Sequence, residues 1–297
     1  MTLSSPAEGP LVVEPATGAG RKPLSSRLEL EFAADADGRT YLRRQYAGYP
    51  FHVCRAQFQD DELLELATLY IQSCSGGIYE DDRFSLRLVM SEDAQAHVTT
   101  QAATIVHNMP RGFAEQRLRI ECGAGSYLEY LPDPQILFPG STCRSAINVR
   151  LAENAVALVS DAFLQHDPAG EGETFDTFLG EVAIEGPDER ILSVDRLQID
   201  GRSIKERLPG VFGPFAAQGT LMAAGLGLPE SAILNGLRSI DLPRGQAAMG
   251  FSRLPNSAGI VIRLLAADGA ALKCGMHRVW SALRFALKGS LPAERRK

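Results

Sequence analysis

Leu118-Arg119-Ile120-Glu121-Cys122-Gly123-Ala124, followed after Gly125 by Ser126-Tyr127-Leu128-Glu129-Tyr130, decides the fold of this chain. Apolar and charged residues alternate through the first segment, the period of a strand with one buried face. A short turn ending in Ala leads into a second strand. The same unit stands earlier, at residues 88–93, Ala94 and 96–100, and later, at 149–154, Ala155 and 157–161. The turn alanines lie 30 and then 31 residues apart. A two-strand unit of this size cannot cover its own apolar face, so successive copies must stack. The expected architecture is mostly β: a stacked, β-helix-like, two-sheet body of many short strands, with a few helices near the C-terminus. Such a body suits the presentation of surfaces better than the holding of a deep substrate pocket.

Outside the repeats, alternation predicts strands at 28–32, 41–46, 51–58 and 84–90. It continues at 175–184 and 191–199, with Gly186-Pro187 as the turn and Asp200-Gly201 closing the block. Asp60-Asp61-Glu62 ahead of Leu63, Leu64, Leu66 and Tyr70 favours a helix over 60–70, although 69–71 reads equally as a strand. Residues 219–226 and 231–237 are rich in Ala and Leu and read as helices; 261–266 reads as a strand. Residues 276–287 place Met276, Val279, Trp280 and Leu283 at helical spacing. The expected organisation is a disordered lead-in over 1–25, one β domain with a helical C-terminal section over 26–290, and a basic tail over 291–297. Lys288, Arg295, Arg296 and Lys297 read as a solvated end.

A net charge of −6 argues against nucleic-acid binding. The five cysteines are scattered and form no Cys-x-x-Cys, which suggests reduced thiols in a cytoplasmic protein. The first 24 residues lack the apolar core of a signal peptide, and no uncharged apolar run is long enough to span a bilayer.

Catalytic signals are weak. His166 beside Asp167-Pro168, with Ser160 or Asp161 upstream, is the nearest approach to a hydrolase triad, yet no Gly-x-Ser-x-Gly elbow occurs and the His reads as a loop residue. His97 and His107, ten residues apart, match no metal-ligand spacing and read as satisfied or solvent-facing. Gly76-Gly77 precedes Glu80, Asp81 and Asp82 and reads as a turn, since three acids would repel a phosphate. Glu65, Asp82, Thr104 and Asp161 share a different feature: each is polar within an apolar stretch. Facing outward, they are ordinary alternation. Facing inward together, they would line a wet internal path.

Taken in order, several segments resemble the urease accessory protein D family, also called UreD or UreH. They are Leu69-Tyr70 leading to Gly76-Gly77 and Asp82; Val98-Thr99-Thr100-Gln101-Ala102-Ala103-Thr104; Leu128-Glu129-Tyr130-Leu131-Pro132 with Ile136-Leu137-Phe138-Pro139-Gly140; Gly172-Glu173-Thr174-Phe175; Gly219-Thr220-Leu221; and Arg278-Val279-Trp280 with Leu283-Arg284-Phe285. The resemblance implies a non-enzymatic scaffold that binds the urease structural subunits and a UreF-like accessory protein, which recruits a UreG-like GTPase. It implies assistance in nickel insertion, with no tightly bound cofactor and nickel as a transient passenger along an internal passage. By motif position, Asp82 and Asp161 correspond to recurring acids of the family and Thr104 to its Thr/Ser position, and Glu65 falls near a further polar site. Glu80 and Asp81 stand where the family usually has Gly-Gly, and Ile105 stands where many members have Lys. A plain adaptor without a nickel route, and a β-helix hydrolase or lyase using His166, Asp161 or Glu129, are the alternatives. The apolar helix around Trp280 is expected either at a partner contact or against its own body.

Overall fold

A computed structural model describes residues 22–293. In chain order the strands are β1 (Ser25–Ala34), β2 (Thr40–Ala47), β3 (Phe51–Val53), β4 (Ala67–Ser73), β5 (Arg83–Met90), β6 (Gln95–Thr100) and β7 (Thr104–Val106). They continue with β8 (Ala114–Cys122), β9 (Tyr127–Tyr130), β10 (Gln135–Leu137), β11 (Thr142–Leu151), β12 (Val156–Gln165), β13 (Thr177–Glu185) and β14 (Ile191–Asp200). After the one-turn helix α1 (Gly201–Lys205) come β15 (Ala217–Gly225), α2 (Glu230–Arg238), β16 (Ala247–Arg253), β17 (Gly259–Ala266) and α3 (Gly269–Lys288).

The chain coils between two sheets. Sheet A runs β14-β13-β11-β8-β5-β1-β2, and sheet B runs β16-β17-β15-β12-β9-β6-β4-β3. Each coil lays one strand in A, turns, and lays the next in B, so β1, β5, β8, β11 and β13 are parallel, as are β4, β6, β9 and β12. This is the stacked two-sheet body that the repeat predicts.

The register corrects the repeat in detail. Leu88 pairs with Ile120 and Ile120 with Val149, offsets of 32 and then 29 residues. The equivalent turns therefore place Asp93, Gly125 and Asn154 in the left-handed region (φ 56°, 65° and 56°), each followed by a buried small residue: Ala94, Ser126 and Ala155. Ser126, not Ala124, occupies the alanine position of the middle unit. Gly, Asn and Asp are the residues that reach this backbone conformation at least cost.

Sheet A is open to solvent on one face, and its strands alternate cleanly, as in β5 and β8. Sheet B is covered twice, by sheet A on its inner face and by α2 and α3 on its outer face. The consequence is plainest in β15, whose nine residues are all buried. Such a run has no alternation, which explains why 219–226 read as a helix although it is a central strand. Gly219 belongs to the contact with α3: a Cβ there would lie 2.7 Å from Met276 Sδ and 3.1 Å from Leu272 Cδ1.

The helix expected over 60–70 does not form. Residues 60–66 make turns, and the chain enters β4 at Ala67. Asp60, which would have capped that helix, instead accepts hydrogen bonds from Arg284 (2.6 Å) and from the amide of Ala293 (3.1 Å). The strand expected over 51–58 is only three residues long and is followed by an isolated bridge at Gln57. Helix α3 is capped by the Asp268 carboxylate on the Ala271 amide (2.8 Å) and ends at Gly289 with φ 76°. Trp280 is only 4% exposed and stacks on His97, so the apolar face of α3 packs on its own body. Lys288, read as part of a solvated tail, sits over the Tyr127 ring and donates to Gln95 (2.8 Å). Residues 1–21 and 294–297, which hold most of the expected lead-in and tail, lie outside the described residues. Among the described residues no helix is long and apolar enough to cross a membrane.

Candidate functional site

The inner face of sheet A, followed strand by strand at one register level, reads Leu88, Ile120, Val149 and Ile184; the level beside it reads Leu86, Leu118, Ile147 and Val182. One further step along the strands, the level becomes Phe84, Gln116, Ser145 and Gly180. Polar side chains enter the inner face there, and a cavity of about 320 Å³ opens between the sheets. Asp161 faces it from β12, on the same strand face as Val159 and Phe163 of the inner core.

Opposite that level sheet B is interrupted. Pairing of β9 with β12 ends at Tyr130↔Val159, and pairing of β10 with β12 resumes at Gln135↔Phe163. Leu131-Pro132-Asp133-Pro134 spans the gap, and neither proline has an N–H to donate to a ladder. The neighbouring strand path breaks likewise over 101–103, between β6 and β7. Ser160, Asp161 and Ala162 of β12 thus border a window in the sheet. A second cavity of about 400 Å³ lies on the other face, beneath α3, and shares Pro132, Asp133, Ser160 and Ala162 with the first as walls.

The inner cavity carries two carboxylates, Asp133 and Asp161, and no Lys, Arg or His among its lining residues. Burial pushes Asp161 up to about 6, against hydrogen bonds from Ser145 and from the Ala162 amide that favour its ionised form. Cys143, also buried, is pushed far above the ordinary thiol range and donates to Gln135 Oε1 (3.1 Å). It stays a thiol rather than a thiolate ligand. Among the described residues no three His, Cys, Asp or Glu side chains gather in a cluster able to hold a metal ion.

Of the residues singled out in the sequence, Asp161, Thr104, Gly76, Gly77, Thr100 and Gln101 line this cavity. Gly77 has φ 139°, and a Cβ there would lie 2.5 Å from the Ile105 carbonyl oxygen, so glycine lets its turn dock on β7. Asp82, Glu65 and Thr99 are elsewhere. Asp82 is fully buried and accepts from the Leu24 amide (2.9 Å) and the Tyr79 amide (3.0 Å), tying the start of β1 to the turn before β5. Glu65 is half-buried, and its carbonyl accepts from the Thr40 amide. Thr99 donates to the Leu131 carbonyl (2.7 Å) on the outer face of sheet B.

The two positions that depart from the resembled pattern, Glu80-Asp81 and Ile105, have structural consequences. Asp81 adopts φ 62°, so the Gly-type turn persists with Asp in it, and the Glu80 carboxylate accepts from the amides of Arg111 and Gly112 (2.6 Å each). Ile105 contributes an apolar patch to the cavity wall.

A second polar constellation, on the outer face of sheet B, joins residues that lie far apart in the chain. Arg284 of α3 grips Glu129 at two points and Asp60 at a third, while His97 Nδ1 (2.9 Å) and the Tyr127 hydroxyl (2.6 Å) also meet Glu129. Burial alone would raise Glu129, but hydrogen bonds from His97 and Arg284 hold it well below the carboxylate range. These groups satisfy one another and fasten α3 to the body. His107 is engaged separately, stacked on Tyr79 at 4.3 Å with Nε2 on the Gly76 carbonyl (3.0 Å). Exposed His166 lies six residues beyond Ser160, roughly 20 Å along the strand direction, too far for a nucleophile–base hydrogen bond.

The fold is thus a two-sheet β-coil with a carboxylate-bearing cavity between its sheets and helices packed on the outer face of sheet B. The chain belongs to the UreD urease accessory protein family, whose family model matches residues 25–297. A protein named urease accessory protein UreD 1 from Pseudomonas syringae pv. syringae is 36% identical over 268 residues, covering 90% of this chain and 94% of that protein. Its namesake in Methylorubrum extorquens is 38% identical over 277 residues, 93% of each chain. A urease accessory protein UreD from the archaeon Haloarcula marismortui is 33% identical over 261 residues, 88% of this chain and 86% of that protein.

Proposed function

We propose that this chain is a non-catalytic, cytoplasmic scaffold for assembly of the urease metallocentre. It binds the urease structural subunits and a UreF-like accessory protein, through which a UreG-like GTPase joins, and it assists insertion of nickel. It holds no cofactor tightly; Ni²⁺ is its cargo. The body over residues 26–290 works as one domain.

The observation that carries the cargo reading is the lining of the inner cavity: two carboxylates, several hydroxyl and amide side chains, and no cationic group. A divalent cation entering a low-dielectric interior needs negative charge nearby. A site with few carboxylate, hydroxyl and amide oxygens attracts such an ion without caging it, whereas thiolates would retain it. Asp161, raised to about 6 by burial, is mostly ionised near neutral pH and takes up a proton only under mildly acidic conditions; a cation beside it favours the ionised form further. Ile105, in place of Lys, leaves that wall without a repelling charge.

A plain adaptor role draws support from a different feature. The groove between α2 and α3 exposes Phe285 (59%) and Leu291 (64%), an apolar patch fit for a protein partner. Co-expression with urease subunits and the other accessory proteins separates the two readings. On the passage reading, Asp161→Ala lowers urease activity and nickel content while the complex still co-purifies. On the adaptor reading, only Phe285→Glu does so, by dissolving the complex. Full activation with Asp161→Ala removes the passage.

A further inference from the structure

The edge of sheet A at β2 holds chemistry that the interior route does not use. Residues 39–58 contain Arg39, Arg43, Arg44 and Arg55, the tyrosines 41, 46 and 49, and no Asp or Glu, in a chain of net charge −6. The stretch places these residues at the open end of the coil, where β2 closes sheet A and β3 closes sheet B. Beyond Thr40 and the half-buried Leu42, every residue of β2 is exposed. Successive strand residues point to opposite faces, so from Arg43 onward the strand is exposed on both sides. Among the described residues its outer edge pairs with no strand, which leaves a row of backbone donors and acceptors free for an added chain.

Between β2 and residues 53–58 runs a groove of about 540 Å³, walled by Tyr41, Leu42, Gln45, Val53, Ala56 and Phe58. Its arginines are partly set in place: Arg27 lies over the Tyr46 ring at 4.4 Å and Arg39 over Phe58 at 4.0 Å. The carboxylates nearby are engaged. Glu29 and Glu31 meet Arg27 and Arg43, and Asp35 accepts from the amides of Asp37 and Arg39. Among the described residues Arg44 and Arg55 form no ion pair, and both are exposed. Tyrosine and arginine beside an open strand edge are the composition of a protein-binding surface.

We propose that this edge receives an acidic, extended segment of a protein partner, laid alongside β2 as a further strand of sheet A. Its backbone pairs with the free edge, its carboxylates meet Arg43, Arg44 and Arg55, and its apolar side chains cover the groove at Tyr41 and Phe58. Backbone pairing supplies affinity in this mode, and the flanking charges select the sequence.

The test uses the purified full chain and three labelled probes: a ten-residue peptide of alternating Glu and Val, the same peptide with Lys for Glu, and a ten-nucleotide oligo-dT. The acidic peptide is expected to bind about tenfold or more tightly than either other probe, with affinity falling as salt rises. Hydrogen exchange is expected to slow at the amides of residues 41–47. Arg43→Glu/Arg44→Glu is expected to weaken the acidic peptide about tenfold with little change in thermal unfolding midpoint. Absence of binding, protection confined to other strands, equal binding of the oligonucleotide, or an unaffected double variant would each overturn the proposal.

Discussion

Arg284 on α3 and Glu129 on β9, 155 residues apart in the chain, meet in a two-point ion pair (Nε–Oε1 2.7 Å, Nη2–Oε2 2.5 Å) with side chains 1% and 0% exposed. The same guanidinium also neutralises Asp60. Arg284→Met would leave two buried carboxylates without their cation, an expected loss of roughly 3–5 kcal/mol in urea unfolding. Adding Glu129→Gln should recover part of it by removing one stranded charge. In the native chain Glu129 is held below its ordinary value of 4.5, so its contribution is present above that pH and is lost on acidification. In Arg284→Met that dependence should reverse, stability rising as pH falls.

Asp161 has the opposite sign. Its folded value of about 6 exceeds the ordinary 3.8, so between those limits the folded chain binds the proton more tightly than the unfolded chain does. Its contribution is full below about pH 4 and is lost as pH rises through 6. Asp161→Asn removes this dependence. The variant should be more stable at pH 7.5 by roughly 1–2 kcal/mol, after allowance for water in the cavity, and equal to wild type near pH 4. It should also activate urease less well. A residue whose ionised form costs stability and yet supports activation is the signature of a functional carboxylate; full activation by Asp161→Asn would deny it that standing.

Asp82 should behave differently, although the sequence groups it with Asp161. Its two oxygens accept backbone amides from Leu24 and Tyr79. Asp82→Ala strands those donors and should cost about 1–3 kcal/mol. Urease activation per folded molecule should stay close to wild type, read by normalising activity to soluble complex. Loss of activation at unchanged stability would return Asp82 to the passage.

What the residues disclosed follows a physical line. Alternation in 118–122 and its copies fixed the coil, because sheet A has one wet face and its pattern survives. The pattern vanishes in β15, buried on both faces, and there the strand was invisible. The inward set of Thr104 and Asp161 was legible as polarity within apolar runs. Gln116 and Ser145, the polar level facing them, sit on alternating strands where a polar residue looks ordinary; only the register aligns them. Arg284 had no readable partner for a related reason: a salt bridge spanning 155 residues leaves no local trace.

Asp81, in the left-handed region of the turn before β5, allows a backbone test. At φ 62° a β-carbon is strained, and Asp tolerates the region better than Ala. Asp81→Ala should cost about 1 kcal/mol, while Asp81→Gly should be neutral within about 0.5 kcal/mol, relief of strain offsetting the entropy of a freer unfolded chain. The surface pair with Arg83, at 3.6 Å, should contribute little to either result. Chemical denaturation of the three proteins decides it, and equal losses for Gly and Ala would mean that the carboxylate rather than the backbone matters.

Blocking the cavity without touching a charge is the sharpest trial of the interior route. Ser145 faces the void from β11 in register with Gln116 and Gly180, and its side chain is largely buried. Ser145→Leu adds apolar volume where empty space already exists, so overpacking should be mild, at most about 1–2 kcal/mol. The added side chain would stand against Asp161, withdraw it from water and raise its proton affinity further. If cargo passes here, urease matured with Ser145→Leu should contain less nickel, while Ser145→Ala, which widens the void, should mature it normally. Both should co-purify with urease and the accessory proteins at wild-type yield. Normal nickel content with Ser145→Leu would move the ion outside the body and leave the chain as a clamp.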